Sequence, residues 1–173
     1  MQLEEKEKRG FLKDEYLLLQ NQYEDFDRRS LTIKGWIGSG AAASLALSFN
    51  STNQYAFMVP IFVAVIAAVF WYLETCWKMV QYSLSDRIRI IEAYFRGDAD
   101  ILEQDPVPFQ TYHAWFKSFA EDRPIYPYER KYRSKSRNAR FWEVARQGFV
   151  CALYAAIIAL SLVSFVVLRF IKT

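Results

Sequence analysis

Two stretches of the chain, Tyr55–Leu73 and Gln147–Leu168, carry no charged residue and are apolar almost throughout. A bilayer core about 30 Å thick is crossed by roughly 20 apolar helical residues. A helix also satisfies its own backbone hydrogen bonds, as lipid demands. Both stretches meet that length. A third, Gly35–Phe49, is shorter and built from small residues, and it reaches the length if Leu31–Lys34 and Asn50–Thr52 extend the helix. The sequence therefore predicts an all-α membrane protein with three transmembrane helices, at 35–50, 55–74 and 147–169. Long helical extensions, forming a hairpin or coiled-coil stalk, are expected on the cytoplasmic side.

The Lys and Arg residues set the expected orientation. Residues 1–34 hold seven of them and residues 74–146 hold thirteen, whereas the loop Asn50–Gln54 holds none. Positive charge favours the cytoplasmic side. The N-terminus and the central segment are thus expected in the cytoplasm of a bacterial cell, with the loop outside. A third crossing then leaves Arg169, Lys172 and the C-terminus outside. Aromatic residues make up 17% of the chain, which suits side chains at lipid–water boundaries. The first 34 residues are charged, so no cleavable leader is expected. Cys76 and Cys151 fall at or inside spans without metal-ligand spacing and read as reduced, packed thiols.

The segments flanking the first two spans have matching apolar stripes. In residues 1–34, Leu12, Tyr16, Leu19, Tyr23, Phe26 and Ile33 recur at spacings of four, three, four, three and seven. In residues 76–96, Trp77, Val80, Leu84, Ile88, Ile91 and Phe95 recur at three, four, four, three and four. This is seam spacing. The expected seam residues are Leu19, Tyr23 and Phe26 on one helix and Leu84, Ile88 and Ile91 on the other. The spacing leaves open whether the stripes pair within one chain or between copies. Gly97 and Asp98 mark a stop. Residues 97–128, broken by Pro106, Pro108, Pro124 and Pro127, are expected to be irregular apart from a short helix at Thr111–Ala120. From Glu129 a basic juxtamembrane helix over 129–146 is expected to run unbroken into the last span.

Three features bear on function. Gly38, Gly40, Ala42 and Ser44 are small residues at four-residue spacing, which lets helix backbones approach closely in lipid. They read as packing within the protomer, or as the contact of a homo-oligomer or the lining of a pore. The basic run Arg130, Lys131, Arg133, Lys135, Arg137 and Arg140 reads as topology plus attraction to anionic membrane lipid. Its interleaved tyrosines keep an anionic nucleotide signal open as a ligand, while DNA or RNA binding is disfavoured. Glu74, near Lys78 at the end of a span, reads as a solvated or paired carboxylate.

Catalytic equipment is not signalled. His113 is the only histidine and has no partner for metal or nucleophile chemistry. No Gly-rich phosphate loop and no zinc-protease spacing occurs. No span is expected to hold a buried ionisable pair. The chain reads as non-enzymatic, with no cofactor and no metal site.

The strings Phe26-Asp-Arg-Arg-Ser-Leu-Thr-Ile-Lys-Gly-Trp36 and Phe70-Trp-Tyr-Leu-Glu-Thr-Cys-Trp-Lys78, followed by Arg87–Phe95, resemble short bacterial membrane proteins. A long N-terminal helix, two close spans and a following amphipathic helix also form a layout similar to SLATT-type membrane effectors. The resemblance covers about residues 12–96, and the third span is an addition to the two-span plan. It implies an effector of a bacterial defence or toxin system that permeabilises the inner membrane, with an immunity-system protein as partner. That family has no catalytic signature, so the resemblance assigns no functional residue. Two expectations stand together: an oligomeric, membrane-permeabilising effector, or a membrane-anchored adapter or sensor recruiting a protein or nucleotide through 97–146. A transporter subunit is a weaker third.

Overall fold

The computed structural model describes residues 4–98, 106–120 and 137–171. Its elements are helices: α1 Glu5–Asn50, a 3-10 turn Ala56–Met58, α2 Val59–Arg96, α3 Thr111–Phe119, α4 Arg137–Ala145 and α5 Gly148–Ile171. No strand occurs among the described residues. Two stretches are long and apolar enough to cross a membrane, Ala56–Arg96 and Gly148–Ile171. The glycines and serines of Gly35–Asn50 leave that part of α1 outside this class.

Local chemistry accounts for the helix ends. Glu5 and Glu7 sit in the first turn of α1, where carboxylates complement the helix dipole. Between α1 and α2, the Ser51 hydroxyl accepts from the Asn53 amide at 3.1 Å, and the Asn53 side chain accepts from the Tyr55 amide at 2.8 Å. Pro60 falls in the first turn of α2, where its missing N–H costs nothing. At the far end Gly97 takes a φ of 76°. The Asp98 amide then donates to the Ala93 carbonyl (3.0 Å) and the Gly97 amide to that of Tyr94 (3.2 Å). This pairing of bonds is a Schellman stop.

The chain divides into two compact units. The first combines Met1–Asp27 with Trp77–Trp142. Its core is Leu12, Leu19, Leu84, Ile88 and Ile91, with Tyr16, Tyr23, Phe26, Tyr94 and Trp115 packed against them. All six expected seam residues thus meet in one cluster inside a single chain. Trp77 and Phe95, expected on the same stripe, remain exposed. The start of α1 is charged rather than apolar, and the Arg9 guanidinium lies 5.8 Å from the centre of the Phe95 ring.

The second unit combines Arg28–Cys76 with Glu143–Thr173. Here the later half of α1, the first half of α2 and α5 pack around Ala41, Val63, Ala67, Tyr154 and Ile157. The Arg169 guanidinium stands 5.1 Å from the Phe57 ring, so α5 ends beside the turn that joins α1 to α2. Outward positions on the bundle are aliphatic and exposed, among them Val65, Val69, Leu160, Val163 and Val166.

One sequence expectation is corrected. The helix entering the last span does not run unbroken, because α4 stops at Ala145 and α5 starts at Gly148. The Gln147 amide turns back to the Val144 carbonyl at 3.0 Å. The Gln147 carbonyl then receives both the Val150 and Cys151 amides at 2.9 Å, starting a new helix. The Ala145 carbonyl accepts the indole N–H of Trp71 at 3.0 Å instead. Of the expected basic helix, Arg130, Lys131, Arg133 and Lys135 lie outside the described residues.

Candidate functional site

Within the second unit, one cluster of charge is buried between the helices. Lys34 on α1 and Glu74 on α2 form an ion pair, with Nζ to Oε1 at 2.7 Å and side-chain exposures of 15% and 5%. The Ser30 hydroxyl, one helical turn before Lys34, donates to the same Glu74 oxygen at 2.7 Å. The Lys34 ammonium also donates to the Phe149 carbonyl, in the first turn of α5. Tyr154, further along α5 and buried, presents its hydroxyl to the Glu74 carboxylate. One ammonium and one carboxylate therefore tie all three helices of the bundle together.

Of the solvated and paired readings of Glu74, the structure has the paired one. Glu74 is paired with Lys34, forty positions earlier, and not with Lys78. Lys78 instead pairs with Asp27 and donates to Gln81 (2.8 Å) in the first unit. Lys34 precedes the expected span at 35–50 and Glu74 ends the one at 55–74, so the pair sits at the edge of the spans and not within one. Taking such charges out of water costs several kcal/mol per ion unless partners replace the lost hydration. Here Ser30, Tyr154 and the Phe149 carbonyl replace part of it. The second carboxylate oxygen, Glu74 Oε2, is buried without a hydrogen-bond partner among the described residues.

The small residues have divided roles. A side chain at Gly38 would meet Leu153 at 4.0 Å, so this glycine faces α5 of its own chain. Gly40 faces open space. With Ser44, Ile37, Ile66, Phe70 and Ile157 it lines an apolar groove of about 580 Å³. Ala42 is exposed.

A second polar cluster, within the first unit, surrounds Glu15. Arg87 Nε donates to Oε1 and Nη2 to Oε2, both at 2.9 Å. The Thr111 hydroxyl donates to Oε1 at 2.8 Å and the Phe109 amide to Oε2 at 3.1 Å. Arg87 also donates to the Val107 carbonyl at 2.7 Å. Burial pushes the Glu15 carboxyl up. The hydrogen bonds and charge of Arg87, joined by Thr111 and Phe109, outweigh it and leave the group below the usual carboxylate range. Nearby, the buried Ser118 hydroxyl donates to Asp86 at 2.7 Å. Arg140 lies within Coulombic reach of Asp86; burial lowers its pKa and Asp86 opposes that shift. Arg140, a member of the expected basic run, is half-buried here. Arg137 lies over the Phe119 ring at 5.0 Å.

The charged groups of both clusters are engaged inside the fold. His113 is exposed, and Cys76 and Cys151 are free and half-buried. Among the described residues no group of three His, Cys, Asp or Glu is placed to hold a metal ion. The arrangement is suited to holding helices together, each carboxylate of the two clusters taking a hydroxyl from a neighbouring segment. Compared with protein-family models, curated proteins and solved structures, the chain finds no match.

Proposed function

We propose that the chain is a non-enzymatic protein of the bacterial inner membrane that acts as a homo-oligomer and permeabilises or depolarises that membrane when triggered. On this reading it crosses lipid three times. The N-terminus and residues 74–146 lie in the cytoplasm, with the 50–54 loop and the C-terminus outside. The first unit is the cytoplasmic stalk. The exposed aliphatic surface of α2 and α5 supports the membrane placement, since water would not tolerate it and lipid does. The layout shared with SLATT-type effectors points the same way.

The observation that carries the reading is the Lys34–Glu74 pair. Ionisable groups buried at the edge of a membrane span are costly and mark pathways and switches. This pair joins α1, α2 and α5 at one end of an otherwise apolar bundle. Its separation would free three helices at once, which suits a protein that is closed at rest and leaks on command. The test is the membrane potential of bacteria expressing the chain, followed with a voltage-sensitive dye. Depolarisation is expected on triggering, and without a trigger when Glu74→Gln weakens the pair. An unchanged potential for the wild-type chain with its trigger and for Glu74→Gln would overturn the proposal.

A second reading, an adapter that recruits a partner through 97–146, is favoured by one observation. The outer face of α3 presents Tyr112 and Phe116 to solvent beside Phe109. A stoichiometric partner recovered by pull-down, with no leakage from liposomes, would select it.

A further inference from the structure

Residues 106–120 contain a single charged side chain, Lys117, and no acid. The segment is fastened on its inner side. Phe109 and Thr111 bond to Glu15, Val107 to Arg87, and Ser118 to Asp86, while Ala114 is buried and Trp115 packs on the core. Its outer side is aromatic. Phe109 is 74% exposed and Tyr112 is 73% exposed, and Val107 and Phe116 are exposed as well. The Phe109 ring contacts Phe11 of α1 at 5.1 Å between centroids. On α3 the Tyr112 and Phe116 rings stack at 6.3 Å between centroids, as four-residue helical spacing allows.

Phe109 has a φ of 63°, in the left-handed region. A bulky aromatic side chain is strained there, and glycine would make the same turn freely. Strain of this kind persists only when surrounding contacts over-determine it, and it gathers at sites of function. The bonds of Glu15 to the Phe109 amide and the Thr111 hydroxyl, and of Arg87 to the Val107 carbonyl, do the holding. The ring so displayed lies largely in solvent, so its use lies outside the fold of one chain.

We infer that the face formed by Phe11, Val107, Phe109, Tyr112 and Phe116 is a docking surface for a second copy of this chain. The inference rests on the homo-oligomer reading above and says where the contact lies: on the first unit, rather than on the small residues of α1. Three arguments favour a second copy. The patch is uncharged at its centre, so two copies meet face to face without like-charge repulsion, and aromatic, charge-depleted surface is what interface cores contain. Its exposed area is roughly 500 Å² per copy for aromatic side chains of about 200 Å² each. A pair would bury about 1,000 Å², the lower bound for a specific contact. Copies held in one bilayer also share an orientation and a high effective concentration. A two-fold axis relating two copies sets this same face against itself, as an isologous contact requires.

The test uses the full chain in lipid nanodiscs and in native membranes. Subunit number is measured by native mass spectrometry for the wild type, for Phe109→Gly and for Tyr112→Ser/Phe116→Ser. Phe109→Gly keeps the turn and relieves its strain, so folding is preserved while the ring is lost. Both variants are expected to weaken association at least tenfold with thermal midpoints no lower than a few degrees below wild type. Tyr112→Cys, in a Cys76→Ser/Cys151→Ser background, is expected to give a bismaleimide-linked dimer of the chain itself. If the variants keep the wild-type subunit number, the contact lies elsewhere and only this inference falls. A monomeric wild type overturns it together with the homo-oligomer reading. Cross-linking of the Tyr112→Cys variant to a different protein overturns it by naming another occupant. So does quenching of a fluorophore attached to that variant's new thiol by a lipid-soluble agent.

Discussion

Arg87 grips Glu15 with two parallel hydrogen bonds of 2.9 Å across 72 positions of sequence, and each side chain is only 5% exposed. A fork of this kind fixes direction as well as distance. The same carboxylate and guanidinium also take up Val107, Phe109 and Thr111, so one ion pair sets where α3 begins and holds Phe109 in its strained turn. Sequence, packing and the proposed contact surface meet at this pair.

Replacing Glu15 by Gln should therefore do more than loosen a helix pair. It leaves a buried guanidinium without its counter-charge, which costs about 3–5 kcal/mol when one partner of a buried pair is removed. Hydrogen exchange of the amides in 106–120 should rise by orders of magnitude, while α5 amides stay protected. Uniform exchange across both units, or none at 106–120, would show that the pair does not anchor this segment.

Acid should act on the same anchor. The folded Glu15 carboxyl lies below its ordinary value of 4.5. A depressed carboxyl contributes stability that is fully present above the unfolded pKa and is lost as pH falls through the folded one. The thermal midpoint of the purified chain should thus fall on acidification below about pH 4.5. Glu15→Gln, already destabilised, should show a shallower acid slope because it has no such proton to take up. Parallel slopes for the two proteins would assign the acid loss to other carboxylates.

The helical class and the apolar clusters were legible where a period recurs. Leu19, Tyr23 and Phe26, like Leu84, Ile88 and Ile91, follow the three-and-four spacing that places side chains on one helical face. Partnership across long separations carries no such signal. Lys78 stands one turn from Glu74 and Lys34 stands forty positions away, yet the chain path brings Lys34 to the carboxylate. Phe95 fits the stripe but faces charged turns of α1, so its period overstates its burial. The break at 146–147 follows from where the Gln147 and Ala145 carbonyls find donors, which hydropathy does not encode. The turn at Phe109 lacks the glycine that would have announced it.

The stripe can be tested at its centre. Leu19 is fully buried against Leu84, Ile88 and Ile91. Leu19→Ala should cost about 2–5 kcal/mol through lost burial and a residual cavity. Leu19→Asp adds an unpaired charge in the same place and should abolish membrane accumulation. Leu18, exposed on the neighbouring face, is the control, and Leu18→Asp should accumulate normally. Equal yields for Leu19→Asp and Leu18→Asp would show that the seam is misplaced.

The clasp between Lys34 and Glu74 allows the sharpest separation of structure from charge. Lys34→Met strands a buried carboxylate beside Ser30 and Tyr154, and Glu74→Gln strands a buried ammonium beside the Phe149 carbonyl. Each should lower the thermal midpoint in detergent by several degrees, given about 3–5 kcal/mol for a broken buried pair. The reversed pair, Lys34→Glu with Glu74→Lys, restores the mutual attraction while moving each charge to the other helix. Its midpoint should recover at least half of the loss, because the pairing term is shared, and the remainder reports how far Ser30, Tyr154 and Phe149 favour the native polarity. Membrane leak, scored with the same voltage-sensitive dye, should follow the midpoints: high in the single variants and reduced in the reversed pair. A reversed pair as unstable and as leaky as either single variant would mean that helix-specific polar contacts, and not the attraction between the two charges, close the bundle.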